Sequence, residues 1–119
     1  ASVVESGCPH FAPIFALNGA FSLFNKIGKE NVTKRIFYLN KYLHHKLDLP
    51  GVELASPKNE KHLSGITIIK TKDAMEIVEK LRKKKIIVSA RGEGIRVSVN
   101  IFNNEDDIDT FIKEYEGIK

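Results

Sequence analysis

The spacing of apolar residues changes once along this chain, and the point of change restricts the folds open to it. From Phe11 to Leu47 apolar residues recur at three- and four-residue steps, the period of a helix with one buried face. Leu49-Pro50-Gly51 interrupts that pattern, and beyond it the apolar residues fall into short runs of strand length. A chain built this way begins with helices and ends in a sheet.

The first helix is predicted over Phe11–Ile27, where Ile14, Leu17, Phe21 and Phe24 form a stripe that Ala20 and Ile27 extend. Pro13 falls in the first turn, where a missing N–H is harmless, and Gly28 follows the last turn as a C′ residue does. A second helix runs from Lys29 to Leu47 on Val32, Ile36, Leu39, Leu43 and Leu47. Four short strands are predicted at Gly51–Ala55, Gly65–Thr71, Ile86–Ala90 and Ile95–Phe102. Between the second and third lies a helix over Asp73–Lys84, with Asp73 as its cap, Glu76 at the third position and cations at its end. Asn104 followed by Asp107 caps a last helix with a face of Ile108, Phe111, Ile112 and Tyr115. The order ααββαββα predicts an α+β domain: two leading helices, then a small, mostly antiparallel sheet of about four strands with helices packed on one face. Residues 1–119 are expected to form one domain, with 1–50 a helical lead-in and 51–119 the sheet-and-helix core. The polar stretch Ser56–Ser64 is its loop.

Composition narrows the function. Hydrophobic residues at 42% and charged residues at 29% of 119 are ordinary globular usage, which argues against a disordered chain. The longest apolar stretch, Phe11 to Phe24, is broken by polar residues and falls short of the roughly 20 residues a membrane span needs. No basic, apolar leader opens the chain, so the expected location is cytoplasmic; the single cysteine, Cys8, fits a reducing compartment. Because the chain starts on Ala1, a preceding segment is expected. The net charge of +4 permits a nucleic-acid partner without requiring one.

Few residues carry a chemical signature. The four histidines, His10, His44, His45 and His62, lack the spacing of a metal site; His44 and His45 read as a solvated pair near a helix end. Cys8 could act as a nucleophile beside His10, or simply precede a helix. The run Lys80, Arg82, Lys83, Lys84, Lys85 reads as a phosphate-binding patch or, more simply, as a solvated helix end. Most informative is Ser89-Ala90-Arg91-Gly92-Glu93-Gly94-Ile95-Arg96-Val97-Ser98-Val99-Asn100. A glycine-containing turn joins two strands there, and alternation sets Arg96, Ser98 and Asn100 opposite Ile95, Val97, Val99 and Ile101. A guanidinium so placed offers a planar fork to a carboxylate, or pairs with Glu93 or an aspartate as a surface arginine.

The run from Ile95 to Asp109 resembles the closing motif of the class V aminotransferases, pyridoxal-phosphate enzymes of fold type I: an Arg-x-Ser strand, an aromatic-Asn turn and an acidic first helical turn. Glu5-Ser6-Gly7-Cys8-Pro9-His10-Phe11 is similar to the family's Glu-x-Gly-Thr-Pro-Asn-Phe segment, and Ile27-Gly28-Lys29-Glu30-Asn31-Val32 with Arg35 and Leu39 is similar to the paired helices after it. The resemblance implies the C-terminal small domain of such an enzyme, related to cysteine desulfurases and isopenicillin N epimerase-like proteins and acting on an amino acid. It implies that Arg96 binds the substrate α-carboxylate, with Arg91 a second candidate, and that Gly7 and Cys8 lie at the cofactor phosphate across a homodimer interface. Cys8 replaces a threonine, Asn100 a frequent histidine and Asn104 a capping threonine. The catalytic cysteine of the desulfurases has no counterpart between Ser89 and Ile95. Neither the Schiff-base lysine nor its partner aspartate is matched, since the family keeps both in the large domain. The resemblance thus implies a part of a longer enzyme that contributes no catalytic residue, is inactive alone and has the rest of the large domain as partner. The residues by themselves also allow a stand-alone module for nucleic acid or an anionic ligand, or a degenerate, non-catalytic homologue.

Overall fold

The computed structural model describes residues 10–57 and 59–118. They form four helices and a three-stranded sheet: α1 (Phe11–Ile27), α2 (Lys29–Lys46), β1 (Ile66–Lys70), α3 (Ala74–Lys83), β2 (Ser89–Arg91), β3 (Gly94–Ser98) and α4 (Glu105–Glu116). The sheet is antiparallel, with β3 central between β1 and β2. This is the expected α+β mixture, with three strands in place of four. No described helix is long and apolar enough to cross a membrane.

The chain divides into two compact units, residues 1–32 and 33–119. In the first, Gly28 takes a positive φ of 86° and returns its N–H to the Phe24 carbonyl, ending α1 as its position predicts. The apolar stripe of α1 is not buried within the described structure: Phe11, Phe15, Leu17 and Phe21 all remain more than half exposed. Apolar residues in fact surround this helix, a pattern proper to one enclosed on several sides.

In the second unit, Leu39 and Leu43 of α2, Ile77 and Leu81 of α3, and Ile108, Phe111, Ile112 and Tyr115 of α4 meet Ile69, Ile95 and Val97 of the sheet in one core. Leu39, Leu43 and Leu81 are fully buried, each contributing about 1.5–3 kcal/mol. At the start of α4, Asn104 and Asp107 form a reciprocal capping box. Asp73 makes no side-chain cap on α3; its backbone is not extended there, and Glu76 pairs with Lys80 instead.

The two strand differences have local causes. Along β1, residues 53–56 begin a fourth strand: Lys70 N–H donates to the Glu53 carbonyl, and Ala55 N–H to that of Ile68. The ladder then stops, because Ile68 N–H is taken by the Ser56 hydroxyl and Pro57 has no N–H to give, leaving a single bridge between Leu54 and Ile69. Ile86–Val88 is held by the helix before it. Ile86 N–H reaches back to the Leu81 carbonyl and Lys85 N–H to that of Arg82, the two bonds of a Schellman cap, so pairing starts only at Ser89. Lys85 stands at the left-handed position of that cap, φ 63°, which a Cβ disfavours. Lys85→Gly is therefore expected to raise stability by about 0.5–1 kcal/mol. Urea denaturation with an unchanged slope and a higher midpoint is the check.

Candidate functional site

The β2–β3 hairpin turns through Gly92, at φ 54°, and Glu93, a glycine-first pair suited to the twist of the strands. Its register sets Ser89 opposite Arg96, Ala90 opposite Ile95 and Arg91 opposite Gly94. On the other side Ile68 faces Arg96, and Lys70 faces Gly94. Directly opposed residues share a face, so Thr67, Ile69, Ala90, Ile95 and Val97 form the helix-covered side. Arg96, Arg91, Ser89, Ser98, Ile68 and Lys70 form the other.

Arg96 thus sits mid-face on the central strand. It is half-buried, its Nε is enclosed with no hydrogen-bond partner, and its side chain makes no hydrogen bond or ion pair with any described residue. The alternative of a surface arginine paired with Glu93 is not realised, because Glu93 approaches Lys70 at 3.9 Å. Arg91 lies on the same face, exposed and likewise without an ion-pair partner among the described residues. Gly94 stands between Lys70 and Arg91, where a Cβ would collide with the Ile69 carbonyl oxygen, so only glycine fits.

The strand that carries Arg96 is anchored at its far end. The Asn103 side chain accepts from Asn100 N–H at 3.0 Å and donates to Asp107 at 3.1 Å. Arg35 of α2 grips the same turn, with Nη1 and Nη2 donating to the Glu105 carboxylate at 3.2 and 2.9 Å and Nη2 to the Asn103 carbonyl at 3.2 Å. Hydrogen bonds from Arg35 and Tyr38 and a backbone bond hold the Glu105 carboxyl well below the usual range, to about 2. Farther along, Tyr42 and Lys46 of α2 both meet Asp109 of α4. Sequence reading noted Arg35 but not its partners, which lie about seventy residues away.

A second polar group went unread in the sequence. Asn40 and Thr67 are buried together; Asn40 Nδ2 donates to Thr67 Oγ1 at 2.9 Å, and His44 Nε2 stands 2.9 Å from the same oxygen. His44 is therefore not half of a solvated pair, although His45 is exposed. In the basic run, Lys80 pairs with Glu76 and Lys84 with Glu114. Gly7 and Cys8 lie outside the described residues. Among the described residues no group of three His, Cys, Asp or Glu side chains is arranged to hold a metal ion.

The family model "Aminotransferase class-V" matches residues 1–111, and the chain belongs to that family. A search of curated proteins finds no match. An apo cysteine desulfurase from Thermococcus onnurineus NA1 shares the fold over 96% of this chain and 32% of its own, with a TM-score of 0.88 and 19% identity. A NifS-like protein from Rickettsia africae ESF-5 does so over 97% of this chain and 36% of its own, at 0.82 and 26%. The chain spans about a third of the length of each.

Class V aminotransferases use pyridoxal phosphate. Lys70, the lysine on the Arg96 face, has its pKa raised, chiefly by a hydrogen bond to Glu53, which favours the charged ammonium. Arg96, by contrast, is a donor fork in want of an acceptor.

The Glu105 contact predicts an acid response. Its carboxyl is lowered in the folded state, so the stability it contributes is complete above the ordinary value of 4.5 and is lost as pH falls through about 2. Between these limits the melting temperature of the native sequence should fall more steeply than that of Glu105→Gln; equal slopes would remove the Arg35–Glu105 contact from this role.

Proposed function

We propose that this chain forms the substrate-carboxylate side of the active site in a pyridoxal-phosphate enzyme that acts on an amino acid. The observation that carries the reading is Arg96: a guanidinium on the uncovered face of the central strand, packed at Nε and lacking an acceptor among the described residues. A substrate carboxylate meets that fork with two parallel, charge-assisted hydrogen bonds. The anchoring of the Asn100–Asn103 turn by Arg35 keeps the strand, and hence the fork, in position.

When bound, pyridoxal phosphate supplies the electron sink for chemistry at the substrate α-carbon. The lysine that holds it belongs, in this reading, to the large domain, so Arg96 binds and orients while the chain alone is inactive. The family resemblance assigns Gly7 and Cys8 to the cofactor phosphate across a homodimer interface. The apolar girdle of α1 supports the same reading, since a helix of this kind needs enclosure by the remaining large domain. The turn Gly92-Glu93 offers no cysteine, which favours transamination, elimination or epimerisation over sulfur transfer through an enzyme persulfide. The enzyme is taken to be cytoplasmic, with no nucleic-acid partner.

In the full-length enzyme, Arg96→Ala should raise KM by about thirtyfold or more, the equivalent of the 2–5 kcal/mol expected for a truncated buried charge pair. An unchanged KM would take Arg96 out of the site. The isolated chain, supplied with cofactor and an amino acid, should show no turnover; turnover would overturn the division of labour between the domains.

A further inference from the structure

Arg96 accounts for one anionic group, yet the same sheet face presents a second guanidinium that the reading above leaves unused. Arg91 is two residues beyond Ser89, the cross-strand partner of Arg96, and is therefore its diagonal neighbour on one face. Such neighbours have Cα atoms roughly 7–8 Å apart, within the reach of two long side chains converging on one small molecule. Neither guanidinium has a carboxylate partner among the described residues. Of the acidic groups at this end of the sheet, Glu53 and Glu93 approach Lys70, and Asp73 and Glu76, which line a cavity with Arg91, make no ion pair with it. Like charges placed side by side on a sheet destabilise it, and that repulsion is relieved when an anion lies between them. Gly94, opposite both Arg91 and Lys70, adds no side chain between them, because a Cβ there would collide with the Ile69 carbonyl of β1. The short Gly92-Glu93 turn fixes Arg91 relative to Arg96, where a longer loop would let it wander.

Resting on the assignment of Arg96 to the α-carboxylate, we propose that Arg91 receives a second carboxylate, and that the preferred substrate is an acidic amino acid of the aspartate or glutamate type. Arg91 is here a specificity residue. Its fork distinguishes a side-chain carboxylate from the isosteric amide, which carries no charge and offers only one acceptor oxygen.

The test is calorimetric titration of the full-length enzyme, its cofactor bound, with aspartate, asparagine, glutamate and glutamine. One acid should bind at least tenfold more tightly than its own amide. Arg91→Met should abolish that preference while leaving amide binding within twofold; Arg91→Gln, less disturbing to an exposed hairpin end, should do the same. An enzyme without acid preference, or a preference that survives both variants, overturns the proposal. Arg96→Met should weaken acid and amide alike. If it weakens neither while the Arg91 variants still remove the acid preference, the α-carboxylate assignment fails by itself and Arg91 is left as an anion site of another kind.

Discussion

The structure depends on one constraint, the antiparallel registration of β3 between β1 and β2. Pairing Arg96 with both Ile68 and Ser89 commits Ile95 and Val97 to the helices and turns Arg96 to the uncovered side. A slip of one residue would bury the guanidinium in the apolar core and expose the isoleucine and valine. The core formed with α2, α3 and α4 therefore defends the position of a residue that does not belong to it. Core packing and the proposed binding face are two consequences of the same pleat.

Registration along the strand is not enough to fix a side chain, and the turn after β3 supplies the rest. Asn103, Asn104 and Asp107 satisfy the backbone at the entry to α4, and Arg35 ties this turn to α2 through a carboxylate and a carbonyl. Arg35 and Glu105 are each about one-third exposed, and water screens such pairs, so the contact is better understood as geometric than as a large source of stability. Much of the motif that resembles the class V aminotransferases serves this purpose. Within Ile95–Asp109, the arginine faces outward while the asparagines and acids around the turn hold the strand that carries it.

The family assignment and the shape of α1 point the same way. The chain covers about a third of the length of its structural relatives. Its first helix is apolar yet has no buried residue, which is the pattern the proposed large-domain neighbour would account for. The sheet face likewise presents two guanidiniums without carboxylate partners among the described residues, the feature on which the proposed binding role rests.

Local patterns were legible where local physics decides. The helices at Phe11–Ile27 and from Lys29, the Asn104 cap, the glycine end of α1 and the alternation around Arg96 follow from periodicity and backbone preferences that act within a few residues. The number of strands did not, because Ile86 is captured by the Schellman cap of α3 and the Ser56 hydroxyl ends pairing beside β1, both outcomes of competition for the same N–H groups. His44 could not be told from its exposed neighbour until Thr67 was brought beneath it. Arg35 could not be given its partners while Glu105 lay some seventy positions away. The sequence by itself determined the helices and the family, since both are written in short-range spacing. Tertiary structure alone decided which polar groups find partners and which arginines are left without them, since that depends on contacts between residues far apart in the chain.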